Sequence, residues 1–390
     1  DPAVSLAINR EGRFITPFDG EGASEKQKEP GPLRIGLLEI KNGILKLDDH
    51  RAGKPGQLQV HNLDMAVRGF RYPMADASTT VRASGQLSGS ALSGKVRVDG
   101  AFNGGTGSFT TACTVEELRV FQADPQSPYL AAEMLAFKAA SQGPLPITVT
   151  EVRIEKPYYR YSAELKQKVS QALPRFDTTN VVKPGAKGQP VIAVRGIAVA
   201  DGQVVVAEPG SKPNQPSISI IGVGLSMDTL SLPLDNSPSS FDLSGRIPGR
   251  RNTADLRWSG KVSLGSLDTD SALRIQSLDI TTLRPYLERS GEATVTGGTL
   301  DVTARVRIRS RYLDTPVTAT IRNLELAPPR GLADRFMGIP RSMVLSMMKS
   351  KNGEITMDFV VSGSLDNPSF NLRESLAKRF AVALARTVGL

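Results

Sequence analysis

The sequence is poor in the residues that build metal sites, disulfides and thick cores. It has one cysteine and two histidines among 390 residues, which excludes an internal disulfide framework and zinc sites that need several cysteine or histidine ligands. Aromatic residues make up only 5% of the chain, and hydrophobic residues make up 39%. That apolar content can cover one face of many strands but is thin for several globular cores.

Recognisable catalytic motifs are also missing. We find no Gly-x-Ser-x-Gly elbow, no phosphate-binding glycine-rich loop and no Rossmann fingerprint. Asp48-Asp49-His50 could hold a metal or activate a hydroxyl, but its place before a Gly/Pro segment favours a plain loop. Cys113 has no nearby histidine and is interpreted as a small apolar strand residue. We therefore predict no enzymatic activity, no metal and no cofactor; an enzyme built on a carboxylate pair stays the alternative.

The net charge of +9 has two interpretations, ordinary solubility or attraction to anionic lipid headgroups or nucleic acid. No Lys/Arg run is interleaved with aromatic residues, and no nucleic-acid-binding motif is present, so nucleic acid is disfavoured as a partner. No run of about 18 apolar residues occurs, which predicts that this chain does not itself span a membrane. Because the chain begins at Asp1, we expect a processed form or a fragment, from which an upstream membrane anchor could be missing.

The sequence does contain an internal repeat of one strand pattern. The turn glycines Gly43 and Gly202 are 202 − 43 = 159 residues apart, and Gly85 and Gly245 are 245 − 85 = 160 apart. Alternating apolar residues separated by Asn-Gly, Asp-Gly and Pro-rich segments are typical of hairpins. The chain is therefore predicted to be mainly β. We expect an elongated, curved, mostly antiparallel and repetitive sheet, groove-like, with a few short helices that include a C-terminal amphipathic helix.

Composition and periodicity divide the chain into five parts. They are an irregular segment at 1–32, a first β-repeat unit at 33–160, a helix and linker at 161–189, a second β-repeat unit at 190–281, and a C-terminal β-unit with helical segments at 282–390. Helical spacing predicts a helix from Tyr161 to Leu173. Three more helices are predicted at Thr282–Arg289, at Leu332–Met348 in two pieces because of Gly338 and Pro340, and at Asn371–Val388.

The most regular strand, Leu300–Arg311, alternates apolar and polar residues, and two later segments continue the pattern. The apolar positions predict one face that could bind lipid. These groove candidates are Val302, Val306, Ile308, Val317, Ile321, Met357, Phe359 and Val361. The opposite face carries the headgroup or membrane candidates Arg305, Arg307, Arg309 and Arg311, which could instead be a solvated face paired with acidic neighbours. The Met-rich segment Met337–Met348 could accept irregular apolar ligands or simply fill a core.

Several of these segments, in this order, resemble the AsmA-like envelope proteins of Gram-negative bacteria, and in particular their large uncharacterised branch. The segments that carry the resemblance are Val152–Tyr159, Ala200–Val204, Leu278–Leu287, Val295–Leu300 and Val361–Phe370 with the helix after it. The resemblance implies a periplasm-facing protein anchored in the inner membrane, with a long curved sheet whose concave side is apolar.

The same resemblance implies transport or buffering of phospholipid between the two membranes, in support of outer-membrane integrity. The implied partners are phospholipid or another acyl lipid, envelope proteins and the membrane surface. The chain lacks the family's N-terminal membrane helix and is short for a bridge across the periplasm, which favours a segment, a shuttle or a subunit. An apolar sheet face needs a cover, and acyl chains, a second sheet or a partner chain could each supply it. The alternative is therefore a non-enzymatic scaffolding protein of the envelope.

Overall fold

A computed structural model describes most of the chain and divides it into two compact units. The first unit is Asp1–Lys212 with Thr229–Leu234, and the second is Pro213–Asp228 with Asp235–Leu390. The described residues are 2–8, 14–15, 32–49, 56–72, 76–89, 92–122, 128–143, 146–161, 192–206, 218–284, 294–328, 335–336, 339–350, 353–365, 381–383 and 385–386. The predicted boundaries near residues 32, 161 and 189 lie beside gaps in this description and stay predictions.

The first unit is built from strands. They are β1 (Ala3–Ile8), β2 (Phe14–Ile15), β3 (Leu33–Asp49), β4 (Gly56–Tyr72), β5 (Ser78–Gly89), β6 (Leu92–Asn103), β7 (Phe109–Gln122), β8 (Pro128–Ser141), β9 (Ile147–Glu155), β10 (Tyr158–Tyr161) and β11 (Ile192–Val206). From β3 to β9 each strand pairs antiparallel with the next. Among the described strands, β1 pairs parallel with β3, and both β9 and β10 pair parallel with β11.

The second unit is also mainly β, with short helical pieces. Its elements are β12 (Ile218–Leu232, in this unit up to Asp228), β13 (Pro238–Pro248), β14 (Thr253–Ser263), β15 (Asp268–Asp279), a 3-10 turn (Ile280–Leu283), β16 (Val295–Arg309), β17 (Tyr312–Leu326), β18 (Arg335–Phe336), β19 (Ile339–Pro340), α1 (Arg341–Ser350) and β20 (Glu354–Ser364). Strands β12 to β17 form an antiparallel series, which β20 extends beyond β17. Residues 381–383 and 385–386 are helical. The predicted mainly β, mostly antiparallel fold with few helices is confirmed.

The core of the second unit lies between its sheet and the helical pieces. In β17 the alternate residues Val317, Ala319 and Ile321 are buried, as a strand with one covered face requires. Ile321 and Met357 of the sheet are 0% and 1% exposed, and they share one apolar cluster with Phe336, Val344 of α1 and Ala383. Helix α1 and the terminal helical residues therefore cover this face.

Two glycines stand opposite register shifts of the preceding strand, where its side chains come close to their backbone. A Cβ atom on Gly85 would lie 2.5 Å from Cγ1 of Val60, and one on Gly245 would lie 2.8 Å from Cγ2 of Ile220. These two glycines occupy the same place in the repeated pattern. By contrast, a Cβ atom on Gly36 would meet no atom within 4 Å.

The repeat is visible in the strand order. The starts of β3 to β7 and of β11 to β15 differ by 192 − 33 = 159, 218 − 56 = 162, 238 − 78 = 160, 253 − 92 = 161 and 268 − 109 = 159. Even the parallel strand that enters each repeat is matched, because Ile44 donates its N–H to the carbonyl of Pro2 and Gln203 donates to that of Pro157, at 2.8 and 2.7 Å. Both repeats also place a left-handed residue just before this bond, Asn42 and Asp201.

One predicted helix is wrong in its first half. The segment Leu332–Met348 was expected to form two helical pieces, but Arg335–Phe336 pairs antiparallel with Ile339–Pro340, and among the described residues of this segment the helix is α1. Pro340 lacks the N–H that a continuing helix needs, and burial of Phe336 and Ile339 in the core favours the hairpin.

The other predicted helices are only partly described. Of the segment predicted at Thr282–Arg289, residues up to Arg284 are described, and a 3-10 turn begins earlier, at Ile280. The predicted helix Tyr161–Leu173 lies outside the described residues except for Tyr161, which ends β10. Within the described part, no helix is both long and apolar enough to cross a membrane.

Asp279 ties the end of β15 to the β13–β14 turn. Its buried carboxylate accepts hydrogen bonds from the backbone N–H groups of Arg250 (2.9 Å), Arg251 (3.0 Å) and Thr281 (3.0 Å) and from the Thr281 hydroxyl (2.7 Å). A Cβ atom on Gly249 would lie 2.4 Å from Cβ of Asp279, so only glycine fits there. Burial raises the pKa of Asp279, but the hydrogen bonds outweigh it, and the pKa falls below the ordinary value of 3.8.

We expect Gly85→Ala and Gly245→Ala each to lower the free energy of unfolding by about 1–3 kcal/mol, because the added methyl group overlaps a neighbouring side chain. Gly36→Ala is the matched control and should be neutral or slightly stabilising, since its methyl group meets nothing and reduces the entropy of the unfolded chain. Urea denaturation of the three variants measures this. Equal losses of unfolding free energy in all three variants would contradict the close contact at Gly85 and Gly245.

We expect Asp279→Asn to cost about 1–3 kcal/mol near neutral pH, because an amide nitrogen cannot accept the bonds that one carboxylate oxygen now accepts. A lowered folded pKa contributes stability that is present above the unfolded pKa and is lost as pH falls through the folded pKa. The stability difference between wild type and variant should therefore shrink between about pH 5 and pH 2. A difference that stays constant over this range in denaturation curves would contradict the assigned role.

Candidate functional site

The sheet of the first unit carries an apolar face along most of its strands. We call it the open face and define it by the apolar residues that ladder pairing and alternation place on one side of β4 to β9. They are Val60, Met65, Val67, Val81, Ala83, Leu87, Val96, Val98, Cys113, Val115, Leu135, Phe137, Ala139, Val149 and Ile154.

Strand register aligns these residues into rows that cross the sheet. One row runs through Met65, Ala83, Val98, Cys113 and Phe137, each the ladder partner of the next. Side chains directly opposite each other on neighbouring strands lie in contact range. The open face is therefore apolar without interruption along such a row, over five strands.

Most residues of the open face remain partly exposed. Only Val115 and Ala139 among them are buried, and the rest keep intermediate accessibility. In the described part of the chain, the strands β4 to β8 make their main contacts with their ladder neighbours, and both buried apolar clusters consist of second-unit residues. A contiguous apolar surface of this kind commonly marks a site of interaction.

The opposite face of the same strands is charged and hydrated. Ion pairs join neighbouring strands there: Arg82 with Asp99 (3.0 Å), Lys95 with Glu117 (2.5 Å), Lys138 with Glu151 (2.7 Å) and Lys156 with Glu133 (2.6 Å). The hydrogen bond from Lys95 to Glu117 raises the pKa of Lys95 above its usual value. These pairs are exposed and contribute little stability, and they place the charged side chains of these strands on the face opposite the open face.

Glu117 and Glu151 are also sites of backbone irregularity. Both have positive φ, 53° and 54°, and each lies where the register of its strand shifts. Such bulges insert an extra residue and increase local twist. In a regular strand Val149 and Ile154, five residues apart, would point to opposite faces. The extra residue at the Glu151 bulge brings both side chains to the open face.

The eight predicted groove residues lie on β16, β17 and β20 of the second unit and share one face. Ile321, Met357, Val317 and Val361 are buried, whereas the others, Val302, Val306, Ile308 and Phe359, are partly exposed. Ile321 and Met357 lie in the cluster that includes α1. Within the Met-rich segment, Met348 fills this core and Met343 is exposed. Binding of acyl chains by this set stays a prediction, but the structure covers half of it with protein.

The predicted headgroup arginines lie on the wet face beside acidic neighbours. Arg305 donates from Nε and Nη2 to the carboxylate of Asp270, at 3.2 and 3.3 Å. Nη2 of Arg309 lies 4.0 Å from the same carboxylate, and Arg307 stands opposite Asp270 in the ladder. The hydrogen bond from Arg305 lowers the pKa of Asp270 below its usual range. This geometry favours the paired, solvated interpretation for these arginines; Arg311 is exposed at the β16–β17 turn.

Arg305 also borders a recess of about 870 Å³ beside the terminal helical residues. Residues of its lining include Val317, Phe359, Asp358 and Arg386. Strand alternation places the side chains of Val317 and Phe359 on the opposite face of the sheet from that of Arg305, so the predicted groove and headgroup sets stay on different faces.

The histidine and cysteine positions give no sign of metal chemistry. His50 lies outside the described residues, and His61 is a partly exposed residue of β4. In the described ranges, no three His, Cys, Asp or Glu residues are grouped closely enough to hold a metal ion. Burial raises the pKa of the Cys113 thiol, which favours the neutral form on the open face.

Sequence reasoning recognised the alternating strands of the first repeat but placed the lipid site on the more regular strands near the C-terminus. A signal for the open face was present in the alternation of the strands from Leu33 onward, and in the described part of Leu33–Tyr161 no helix stands between these strands. In the second unit, by contrast, helix α1 covers the apolar face of the sheet.

Comparison with known proteins leaves this chain without an assigned relative. No protein-family model matches the sequence, no curated protein matches it, and no solved structure matches its fold.

Proposed function

We propose that this chain is a non-enzymatic lipid-binding protein of the cell envelope that holds acyl chains along the open face. The observation that carries this proposal is the apolar row from Met65 to Phe137, which is partly exposed and has no cover among the described elements. The resemblance to AsmA-like proteins adds phospholipid as the lipid class and the periplasm, between inner and outer membranes, as the location. We propose anchoring to the inner membrane through a segment outside this chain.

An acyl chain matches this surface chemically. It is long, flexible and apolar, and it makes no hydrogen bonds that a sheet face would have to satisfy. Each methylene removed from water contributes about 0.8 kcal/mol, so contact along several rows is worth several kcal/mol before the entropy lost on binding is subtracted. Because every row offers similar side chains, a chain could move along the face without a deep energy minimum.

The two sides of the sheet support this role in different ways. Ion pairs such as Arg82–Asp99 keep one side hydrated, which orients the open face toward lipid or another apolar partner. The net charge of +9 favours approach to anionic membranes. Lipid binding on such a surface needs neither a metal ion nor a nucleophile.

A scaffolding protein whose open face is covered by a partner chain is the second candidate. It is favoured by the exposed apolar residues Leu33, Leu37 and Leu38 of β3, which lie at a strand edge where another protein could pair. The two functions differ in what the purified chain binds, since a scaffold would take up no phospholipid.

Ala83→Asp and Ala112→Asp form a matched pair that tests the lipid proposal. Both replace alanine with aspartate, but Ala83 lies on the open face between Met65 and Val98, and Ala112 is exposed on the opposite face. We expect Ala83→Asp to weaken binding of fluorescent phospholipid about 10-fold, because a carboxylate in contact with acyl chains must be desolvated. Ala112→Asp should bind as the wild type does, and both variants should stay folded.

The assay mixes purified protein with vesicles that contain fluorescent phospholipid, with and without chelator, and follows lipid products by mass spectrometry. Equal binding by two well-folded variants would refute the open face as the lipid site. Unfolding of Ala83→Asp alone would show that the face is a closed core. Lipid hydrolysis, or activity lost with chelator, would indicate an enzyme instead, and absence of any binding would favour the scaffold.

A further inference from the structure

The two repeats differ in which strands pair with the outer edge of their first strand, β3 or β11. In the second repeat, β9 pairs with β11 along Ile192–Ala200 and β10 pairs with it along Gln203–Val206. In the first repeat, β1 pairs with β3 along Ile44–Asp49, the counterpart of the β10 position. No described strand lies along Leu33–Lys41 on that side, although this is the counterpart of the stretch that β9 fills.

Large apolar side chains are also exposed along this edge. Leu33, Leu37 and Leu38 are 51%, 50% and 43% exposed. Tyr72, the ladder partner of Leu33 on β4, is exposed as well. A free strand edge offers a row of unpaired backbone groups, and apolar side chains beside it favour addition of another strand.

The offset of 159 residues between the repeats predicts which sequence a strand added to the edge of β3 would have. It equates Ala198 and Ala200 of β11 with Glu39 and Lys41 of β3. In the ladder with β11, Arg153 and Glu155 of β9 stand opposite those two alanines. A strand with the β9 sequence, added to β3 in the same register, would place its arginine opposite Glu39 and its glutamate opposite Lys41.

The apolar positions agree with the same register. Val152 and Ile154 of β9 stand opposite Ile197 and Val199, whose counterparts in β3 are Leu38 and Ile40. An added strand of this kind would therefore extend the apolar side of the sheet and pair its charges on the other side.

We propose that the edge of β3 at Leu33–Lys41 is an acceptor site for a strand of another protein. The fitting partner is an extended segment in parallel orientation, with apolar residues at alternate positions, a cationic residue opposite Glu39 and an acidic residue opposite Lys41. This site does not depend on lipid binding by the open face.

A peptide with the sequence Ile147–Glu155 is the direct probe. Fluorescence anisotropy of the labelled peptide with the full chain measures its affinity, at concentrations where light scattering shows no peptide aggregation. The control peptide exchanges the residues corresponding to Arg153 and Glu155. We expect the control to bind about 10-fold more weakly, because opposite-charge pairs between strands become like-charge pairs.

The double variant Glu39→Lys with Lys41→Glu should reverse this preference and bind the exchanged peptide more tightly. Both side chains are exposed, so the variant is expected to fold. Wild-type protein that binds neither peptide, or binds both equally, would overturn the proposal, as would a double variant that keeps the wild-type preference.

Disulfide trapping tests the orientation. In a Cys113→Ser background, Leu33→Cys should be trapped by a peptide whose cysteine replaces its first residue, Ile147, and not by one whose cysteine replaces its last, Glu155. Trapping of the second peptide instead would show antiparallel addition and contradict the register proposed from β9.

Discussion

A single sheet can satisfy its backbone hydrogen bonds between neighbouring strands, but it cannot bury the side chains of both its faces. Each face must therefore be hydrated, covered by other parts of the protein, or left for a ligand. In this chain both units use ion pairs or polar side chains on one face. They differ in the treatment of the other face, and this difference organises the rest of the structure.

The second unit covers its apolar face from within the chain. Val344 and Met348 of α1, with Ala383 near the C-terminus, pack on the face that includes Ile321, Ile355 and Met357. The hairpin residues Phe336 and Ile339 fill the same core. The first unit has apolar side chains in equally regular rows, yet its described elements provide no such cover. The lipid proposal covers this face with acyl chains, and the scaffold proposal covers it with a partner protein.

Local constraints make the long rows possible. Positive-φ residues such as Glu117 and Glu151 absorb the extra residue at a bulge, so that alternation continues in phase across the strand. Gly85 and Gly245 let side chains of the preceding strand, Val60 and Ile220, approach closely. The buried carboxylate of Asp279 accepts hydrogen bonds from the backbone of the β13–β14 turn. Gly85 and Gly245 occupy matched places in the two repeats.

Short-range patterns in the sequence were sufficient for the alternating strands, such as Val96 and Val98 of β6, and the equal spacing of its glycines revealed the repeat. The hairpin turns predicted at Gly43 and Gly202 were wrong. Both glycines lie inside single long strands, β3 and β11, where the preceding Asn42 and Asp201 adopt positive φ without reversing the chain. What covers a sheet face is a long-range property, and this is why Ile321 and Met357 were predicted as groove residues although α1 packs over them. The pairing of Arg305 with Asp270, 35 residues earlier, likewise depends on strand order. The hairpin at Phe336 and Ile339 was missed because core packing outweighed helical spacing.

Cys113 allows the most direct measurement of the central claim, because it is the only cysteine and lies in the middle of the open face. If acyl chains bind the open face, a maleimide should modify Cys113 slowly when phospholipid is bound and faster after the lipid is removed. A cysteine moved to the other face, Ala112→Cys in a Cys113→Ser background, should react at one rate in both states. If lipid leaves the reactivity of Cys113 unchanged, or protects the residue at position 112 equally, the open face is not where acyl chains bind.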